Sequence, residues 1–589
     1  MLTAAAEPAS PQASGLYFSV PLHRSKPALM LRSTVLTALF ALGSLLPSQT
    51  PCRDASFGEW PFLVGNMDAE IASMVQAAKD NGLDTIYMNF FRATGPSTGT
   101  LWITDSAGRW NSAWGPVRTG GAGINLVNFI AAAHAANLQV IAVMKCFDAT
   151  VQPGDAAHRA YLLAIVDYLV GSYDAAGKPV YDVDGIALDY VRYVGGSGVN
   201  AANVTDFVRG VRQRCGVLQV HAYLLSGRYD FDGPVYDGSF NAYATVMTTL
   251  KNGYGQDWEG LAKYVDVYMP MAYTADGSIY ATSALHQAYV RQVAAYARTA
   301  VTRAGYPTRR VSPAIKTYSD SETCTAATVE ASITGALLGG GDGYQAFRWK
   351  TLQPHADWLA KMKLWAVPGQ NQPIAALTAN AVGLSTSSDS TASRDADEPS
   401  ANLKLRFDWE NDGVFDTGWL PNQTQSWLAR NPGSWRIGVQ VQDSTGLFGQ
   451  TTRRLTLGDV LTLDRASISL AAPAKVAIGI QAGALAANQA YLVCGSLSGS
   501  SPGTPLAPGF TLPLNVDAIT QGLLGAVNTP LLLNGFANLS PAGTGLAEFQ
   551  MIPGITVLSG KTLHFAAIGA NASAQYLFTT NAKGLALLP

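Results

Sequence analysis

Charged side chains and cysteines are both scarce in this chain, and each scarcity argues against a class of protein. Charged residues make up 14% of the 589 residues, the formal net charge is −2, and no run of Lys or Arg stands out. Nucleic acid is therefore not an expected partner. The five cysteines are scattered without a CxxC pair, which argues against a zinc site and a disulfide scaffold and leaves room for one incidental bridge. We expect neither a metal nor a cofactor.

Long apolar runs are also absent, apart from one near the N-terminus. Residues 35–46 are apolar, follow the basic stretch Met30-Leu31-Arg32 and precede the polar residues 47–50. This order is typical of a secretion signal, and the run is too short to span a membrane comfortably. We therefore expect a leader over residues 1–54, translation starting near Met30, and no transmembrane segment. After removal of the signal, the protein is expected to be secreted, periplasmic or bound to the cell surface.

The chain is long enough for three or four folded units, and the first of them has a regular pattern. Between residues 62 and 364, eight strand-like segments, the first at 62–64, alternate with eight helix-like segments. This alternation predicts a (β/α)8 (TIM) barrel over residues 55–366. A doubly wound open sheet is the alternative. It would need a Gly-rich phosphate turn after the first strand, which Val64-Gly65-Asn66-Met67 does not supply.

The composition changes after residue 366, where the helical period ends. Residues 374–458 show short alternating strands, with a Ser-rich start at 385–390, the turn Phe407-Asp408-Trp409-Glu410-Asn411-Asp412-Gly413, and the strand Val439-Gln440-Val441-Gln442-Asp443. These features resemble a polycystic-kidney-disease (PKD) type β-sandwich module. Residues 462–589 are again all-β in character and are expected to form a C-terminal β domain of unknown role. The predicted fold class is thus α/β, a barrel followed by two all-β modules of β-sandwich type.

The fourth strand of the predicted barrel ends in a chemically dense segment. It runs through Val183-Asp184-Gly185-Ile186-Ala187-Leu188-Asp189 and continues as Tyr190-Val191-Arg192-Tyr193. In a (β/α)8 barrel the reactive side chains lie at the carboxyl ends of the strands, which is where Asp189 falls. Asp184 lies five residues earlier, on the opposite face and about 16 Å back along the strand. We therefore expect Asp189 in the site and Asp184 in a structural ion pair.

Polar side chains alternate with apolar ones on other predicted strands, so their polar faces are expected to point into the barrel. Asn89 on the second strand, His221 and Tyr223 on the fifth, and Lys316 on the seventh follow this pattern. Four strands with polar residues near the same end predict a site at the barrel mouth.

The segment 183–193 resembles the Asp-Gly-Ile-x-Leu-Asp-Tyr-x-Arg-Tyr strand of the glycosyl-hydrolase-like family 10 barrels. Supporting matches are Ala133-His134-Ala135-Ala136-Asn137-Leu138, Gln256-Asp257-Trp258, and Val265-Asp266-Val267-Tyr268-Met269-Pro270-Met271-Ala272-Tyr273. The resemblance implies an exported bacterial protein that acts on polysaccharide, cell-wall glycan included. It also implies Asp189 as a catalytic carboxylate, with Tyr190 and Arg192 beside it.

Glycoside cleavage generally needs two carboxyl groups, one protonated and one ionised. Asp148, just past the third strand, is the first choice for the partner of Asp189, and Asp320, Glu322 and Asp276 remain open. Arg192, assigned to the catalytic group, is expected to hold Asp189 ionised by charge pairing. The residues expected to contact substrate, the aromatic ones by stacking on sugars, are Asn89, Arg92, Lys145, Tyr190, His221, Tyr223, Tyr273, Lys316, Arg348 and Trp349.

The sequence thus predicts a secreted glycoside hydrolase that acts on a polysaccharide through carboxylate acid/base chemistry. The alternative is a non-catalytic glycan-binding or surface-structural protein on a degenerate barrel. Association with the cell surface through the β modules is a further expectation. The acidic segment 408–416 invites a calcium interpretation, but it lacks the final Glu of an EF-hand loop, and we expect a structural turn there.

Overall fold

The computed structural model of the protein describes residues 54–59, 67–101, 103–104, 124–195, 198–226, 242–273, 282–319, 323–366, 371–421 and 423–589. Residues 1–53, nearly all of the predicted leader, lie outside these ranges. Among the described residues, no helix combines the length and the apolar character needed to cross a membrane. Residues 51–589 form one compact unit.

The first half of the chain is a mixed α/β structure with a largely parallel sheet. Its strands are β1 (Asp54–Glu59), β2 (Thr85–Gly95), β3 (Thr98–Leu101), β4 (Ile103–Thr104), β5 (Ile124–Asn125), β6 (Gln139–Lys145), β7 (Gly185–Asp189), β8 (Gln219–Leu224), β9 (Val267–Pro270), β10 (Arg310–Val311), β11 (Ala314–Lys316) and β12 (Gly343–Phe347). The helices are α1 (Met67–Asp80), α2 (Leu126–Ala135), α3 (Ala156–Gly171), α4 (Ala201–Cys215), α5 (Tyr243–Tyr254), α6 (Trp258–Leu261), α7 (Ser283–Arg303), α8 (Ala326–Leu338), α9 (Trp349–Leu352) and α10 (Ala356–Trp365).

The sheet runs in the order β10-β9-β8-β7-β6-β2-β1-β12-β11, with β3 paired to β2. The strands at its two ends, β10 and β11, are separated in the chain only by Ser312 and Pro313. Proline has no N–H to continue a ladder, which accounts for the interruption. The Ser312 N–H donates to the Tyr268 carbonyl at 2.8 Å, and the Pro313 carbonyl accepts from the Gln345 N–H at 2.9 Å.

One predicted strand boundary needs correction, and another prediction falls outside the described residues. The expected first strand at 62–64 lies outside the described residues, and the strand between β2 and β12 is β1, which lies earlier in the chain. The fourth strand, expected to continue to residue 193, ends at Asp189. It ends there because Tyr190 has a left-handed backbone conformation, with φ of 53°, which cannot continue a strand.

The interior of the sheet carries a layer of hydrogen-bonded polar side chains, which we call the polar layer (Tyr87, Gln139, Gln219 and His221). The side-chain amide of Gln219 donates to Oε1 of Gln139 at 2.9 Å, and His221 Nε2 donates to Oε1 of Gln219 at 2.9 Å. The hydroxyl of Tyr87 lies 2.9 Å from His221 Nδ1. Buried polar groups are stable when they are paired in this way. Gly185 lies beside this layer, where a Cβ would come within 2.5 Å of the backbone carbonyl oxygen of Gln219.

The second half of the chain consists mainly of β-structure. Its strands are β13 (Thr378–Val382), β14 (Ser385–Asp389), β15 (Lys404–Asp408), β16 (Leu420–Pro421), β17 (Gln425–Leu428), β18 (Gly433–Gln442), β19 (Phe448–Leu457), β20 (Leu461–Leu463), β21 (Ser467–Ser469), β22 (Ala474–Gln481), β23 (Ala490–Ser496), β24 (Thr504–Ala507), β25 (Phe510–Leu512), β26 (Leu532–Leu533), β27 (Phe536–Asn538), β28 (Thr544–Met551), β29 (Thr562–Ala570), β30 (Tyr576–Thr579) and β31 (Lys583–Leu588). One helix, α11 (Ala518–Gly525), is inserted among the described elements of this half.

Antiparallel pairing dominates in this second half. The sheet β16-β15-β18-β19 and the sheet β13-β14-β17 come first, followed by β20-β22-β28-β26 and by β21-β31-β29-β23-β27 with β30 on β29. Strands such as β22 alternate between buried and more exposed residues, as expected for a sheet with one face on a core. One continuous apolar cluster extends from Ala375 to Leu587 and so includes residues of both predicted β modules.

The two halves meet at the amino-terminal edge of the parallel sheet. The Gln139 amide donates to the Phe448 carbonyl at 3.0 Å, and the Val217 N–H donates to the Asn411 side chain at 3.1 Å. The Thr451 hydroxyl donates to Asp182 at 2.8 Å. These contacts leave the carboxyl ends of the strands, where Asp189 lies, on the other edge of the sheet.

Candidate active site

Three charged residues lie side by side at the carboxyl ends of neighbouring parallel strands. Asp189 at the end of β7 is in register with Lys145 at the end of β6, and Lys145 is in register with Arg92 on β2. Neighbouring strands are about 4.8 Å apart, so the backbones of these residues are adjacent. The Asp189 side chain is only 5% exposed. The sheet therefore places one buried carboxyl group next to a row of two cations.

Tyr190 turns the chain sharply out of this strand. Its N–H donates to Asp189 Oδ1 at 2.8 Å, and its backbone is left-handed, with φ of 53°. This conformation is unfavourable for a tyrosine, and such outliers cluster at functional sites. The Tyr190 ring has Lys145 Nζ at 4.7 Å and Arg192 Cζ at 4.5 Å from its centroid, both within cation–π range. The turn thus gathers two cations and an aromatic ring around Asp189.

Burial raises the pKa of Asp189 to about 6. The Tyr190 N–H and the charges of Arg192, Lys145 and Arg92 act in the opposite direction, but they do not outweigh the loss of solvation. The charge of Arg192 favours the ionised form of Asp189, as expected, but burial has the larger effect on the pKa. Asp189 therefore keeps its proton to a higher pH than an ordinary aspartate does. Near pH 6 this carboxyl group can donate a proton.

The pKa of Asp148 is shifted in the opposite direction, below its usual value. Burial raises the pKa of Asp148, but the hydroxyl and N–H of Thr150, together with Lys145, hold it below its usual value. Oδ1 accepts from the Thr150 hydroxyl at 2.6 Å and from its N–H at 2.9 Å, and Oδ2 lies 3.2 Å from Lys145 Nζ. Lys145 therefore contacts the carboxylate whose pKa is lowered and neighbours the carboxyl group whose pKa is raised. The other three candidates for the second carboxylate, Asp276, Asp320 and Glu322, lie outside the described residues.

Aromatic side chains line the same edge of the sheet. Burial raises the pKa values of Tyr223 and Tyr273 well above normal, and the nearby charge of Asp189 raises both further. Tyr273 stacks on Phe347 with centroids 4.8 Å apart and planes 12° apart. Lys316 Nζ lies 4.8 Å from the centroid of the Tyr318 ring. Tyr273, Tyr318 and Phe347 thus pack against one another at this edge, and Tyr223 is buried beside Asp189.

Other predicted substrate contacts lie deeper than expected. His221 belongs to the polar layer, where both ring nitrogens are hydrogen-bonded and burial lowers its pKa well below the usual value. Trp349 is 2% exposed and is part of the hydrophobic core, so it presents no open ring face. Asn89 and Lys316 are 3% and 2% exposed, and Arg348 is half-buried. The expectation that His221 and Trp349 contact substrate directly does not match this burial.

Two residues at the site were missed by the sequence analysis. Thr150 holds Asp148 by two hydrogen bonds, and Tyr318 packs against both Lys316 and Tyr273. Asp-x-Thr is a local side-chain-to-backbone motif that could have identified Thr150. Tyr318 has no comparable signal, because its role depends on where β11 ends.

Away from this site, two acidic groupings have other roles. Asp184 accepts from the Val140 N–H at 2.8 Å and lies 2.9 Å from His134 Nε2, at the amino-terminal edge of the sheet. In the acidic segment, Asp408, Glu410 and Asp416 have ligand atoms within 4.8 Å of one another. Asp408 accepts from the N–H groups of residues 412 and 413, at 3.1 and 2.7 Å, as in a hydrogen-bonded turn.

Comparison with known proteins finds distant structural likenesses. No family model matches the chain, and no curated protein matches it. The spore cortex-lytic enzyme SleL of Bacillus cereus is 10% identical, with 54% of this chain and 75% of that chain covered and a TM-score of 0.35. A chitinase from Chromobacterium violaceum is 11% identical, with 53% and 98% covered and a TM-score of 0.34. The PKD1 domain of Vibrio anguillarum Epp is 24% identical, with 15% and 94% covered and a TM-score of 0.12. Likenesses at this level assign no activity to the chain.

Proposed function

We propose that this chain is a secreted glycoside hydrolase that cleaves a polysaccharide, with bacterial cell-wall glycan among the candidate substrates. Asp189 is its proton donor and Asp148 its ionised carboxylate. The observation that carries the proposal is the opposite shift of two carboxyl pKa values on either side of Lys145. Acid/base pairs in enzymes are recognised by environments that push two pKa values apart.

The reaction follows from these two protonation states. Protonated Asp189 gives its proton to the glycosidic oxygen while the bond from that oxygen to the anomeric carbon breaks. The Asp148 carboxylate either attacks the anomeric carbon or takes a proton from a water that attacks it. Lys145 stabilises Asp148 as an anion until that carboxylate attacks or takes the proton, and it stabilises Asp189 once the proton of Asp189 has left. Tyr190 and Arg192 position the donor, and Tyr223 and Tyr273 lie near it.

The wider proposal is a (β/α)8 barrel of the glycosyl-hydrolase-like family 10 type over residues 55–366. Closure is supported by the ends of the sheet, because β10 and β11 are consecutive pieces of one segment. Ala314 in β11 also forms a parallel bridge to Met271, the residue that follows β9. We propose that a PKD-like module over 374–458 and a β domain over 462–589 follow the barrel. Removal of the leader and attachment to the cell surface through the β modules complete the proposal.

The test is product release from a panel of polysaccharides that includes peptide-free peptidoglycan. Asp189→Asn should lose activity by a factor of about 10² to 10⁴, the usual contribution of a general acid. Asp167→Asn is the matched control, because Asp167 is 56% exposed and, among the described residues, forms its ion pair with Arg214 on the helical side of the sheet. Equal activity in Asp189→Asn and the wild type would remove Asp189 from the chemistry.

A second variant tests the ionised partner. Asp148→Ala should be inactive, and added azide should restore turnover if a small anion can replace the missing carboxylate. An Asp148→Ala variant with full activity would show that another carboxylate has this role. Binding of glycans without release of any product by the wild type would instead support the non-catalytic alternative.

A further inference from the structure

A cavity lies at the amino-terminal edge of the parallel sheet, opposite the candidate active site, where the two halves of the chain meet. We call it the junction cavity. It has a volume of about 610 Å³ and is bounded by α4, by the segments that precede β9 and β10, and by the sheet that contains β15, β18 and β19. It therefore lies at the amino-terminal ends of strands whose carboxyl ends carry the candidate active site.

Positive charge is in excess around the junction cavity. Among the described residues, its cationic lining residues are Arg209, Arg212, Lys263, Arg309, Arg310 and Arg406, whereas its carboxylates are Asp266 and Asp412. Asp266 is shared by Arg212 and Arg309, and Arg209 pairs with Asp206 at 3.0 Å. Within the described ranges, Lys263 and Arg406 make no ion pair. An anion that entered the cavity would therefore meet cations that no carboxylate neutralises.

Arg406 is held rigidly in this environment. Its guanidinium carbon lies 3.7 Å from the centroid of Phe415 and 4.5 Å from that of Trp419. Its Nε and Nη2 donate to the Gln440 carbonyl at 2.8 and 2.6 Å, which leaves Nη1 for another acceptor. Burial lowers the pKa of Arg406 to about 10. A desolvated guanidinium without a counter-ion is costly, so an anionic ligand at this position gains from it.

An unsatisfied amide points to a second feature of the ligand. Gln450 lines the cavity and is only 5% exposed, yet its buried Oε1 has no hydrogen-bond partner in the part of the chain that the structure describes. An unpaired buried carbonyl costs about 1–3 kcal/mol, and a hydroxyl donor from a ligand would remove that cost. Gln440 and Gln442 place further amides around the same space.

We propose that the junction cavity binds an acidic oligosaccharide, with its carboxylate at Arg406 and Lys263 and a hydroxyl at Gln450. Carboxylate, hydroxyl and apolar ring faces occur together in uronic-acid sugars, and they match the cations, the amide and the rings of Phe415 and Trp419. This binding site is separate from the candidate active site and does not rest on the proposed hydrolysis.

Isothermal titration of the full chain with hexagalacturonate tests the site, with maltohexaose as the neutral probe and inorganic phosphate as the simple anion. Arg406→Gln should weaken hexagalacturonate binding by about tenfold or more, the effect of losing one charged hydrogen bond. Lys263→Ala should weaken it by about three- to fivefold, and added salt should weaken it in the wild type. Lys404→Ala is the matched control, because Lys404 is an exposed lysine on the same strand as Arg406 but outside the cavity.

Asp189→Asn should bind hexagalacturonate like the wild type, which separates this site from the catalytic proposal. Since Lys263 is exposed, Lys263→Ala keeps the test valid even if Arg406→Gln unfolds. Absence of binding to the wild type, or equal affinity for maltohexaose, would overturn the proposal. It would also be overturned by an affinity for phosphate equal to that for hexagalacturonate, or by unchanged binding in Lys263→Ala.

Discussion

Replacing Asp189 by asparagine should stabilise the fold at alkaline pH, and the size of the effect follows from the structure. The pKa of Asp189 is raised from 3.8 to about 6 in the folded protein, chiefly by burial. Between these two values the folded state retains a proton that the unfolded state has released. The free energy of unfolding therefore falls as pH rises through this window. A shift of about two pKa units corresponds to a loss of about 3 kcal/mol once both states are ionised.

Asparagine is close in shape to protonated aspartic acid and keeps an oxygen that can accept from the Tyr190 N–H. Asp189→Asn should therefore match the wild type near pH 4 and exceed it by up to about 3 kcal/mol at pH 8. For a cooperative unit of about 300 residues this corresponds to about 5 °C in the midpoint of thermal unfolding. Residues held in place for function commonly reduce stability in this way.

Scanning calorimetry of the full chain at pH 4, 6 and 8 measures the effect as the difference in midpoint between variant and wild type. Asp167→Asn is the matched control, because Asp167 is 56% exposed and pairs with Arg214 away from the candidate active site. A midpoint difference for Asp189→Asn that is the same at all three pH values would refute the argument. So would a variant that is less stable than the wild type at pH 8, since Asp189 would then be a stabilising anion.

Three further outcomes follow from individual contacts. Thr150→Val removes the hydroxyl that lowers the pKa of Asp148, so the acid limb of the pH–rate profile should move to higher pH. An acid limb at the wild-type pH would show that the Thr150 hydroxyl does not tune Asp148. Tyr190→Gly removes the strain of the left-handed backbone, which costs a non-glycine residue about 1–3 kcal/mol. The unfolding temperature should therefore stay the same or rise, whereas turnover should fall. Turnover equal to that of the wild type would show that the Tyr190 ring has no function. His134 is buried, which lowers its pKa, but Asp184 raises it above the usual 6.5 overall. The stability that protonated His134 contributes is therefore complete below pH 6.5 and is lost as the pH rises through the pKa of His134 in the folded protein. In urea unfolding, His134→Asn should destabilise the protein more at pH 6 than at pH 9. An equal effect at both pH values would exclude the ion pair.

The sequence was informative about which residues gather at the site and less informative about their depth and charge. An apolar strand ending in Asp189 and alternation on neighbouring strands were sufficient to locate the edge of the sheet. Alternation does not report depth, however. His221 lies two residues before Tyr223, which is about 6.6 Å further into the interior. The protonation state of Asp189 depends on whether desolvation outweighs the neighbouring cations, and this balance requires coordinates.

Other differences have similarly local causes. The strand β1 has the sequence Asp-Ala-Ser-Phe-Gly-Glu, which contains no apolar run and gives no strand signal. The break between β10 and β11 was readable in principle from Pro313, because proline lacks the N–H that a ladder needs. The continuous apolar cluster of the second half joins strands that are distant in the chain, and no short-range pattern predicts such packing.

The polar layer has a consequence for the far end of the same strands. Tyr87 belongs to β2, Gln139 to β6, and Gln219 and His221 to β8, and the hydrogen bonds among these four side chains exist in only one alignment of the strands. A slip of one residue would turn each polar side chain to the opposite face and leave it without a hydrogen-bond partner. Each unpaired buried group would cost about 1–3 kcal/mol of stability. The same alignment brings Arg92 on β2 opposite Lys145 on β6. The polar layer thus fixes the alignment of β2 and β6, and with it the placement of the two cations beside Asp189 at the other end of the sheet.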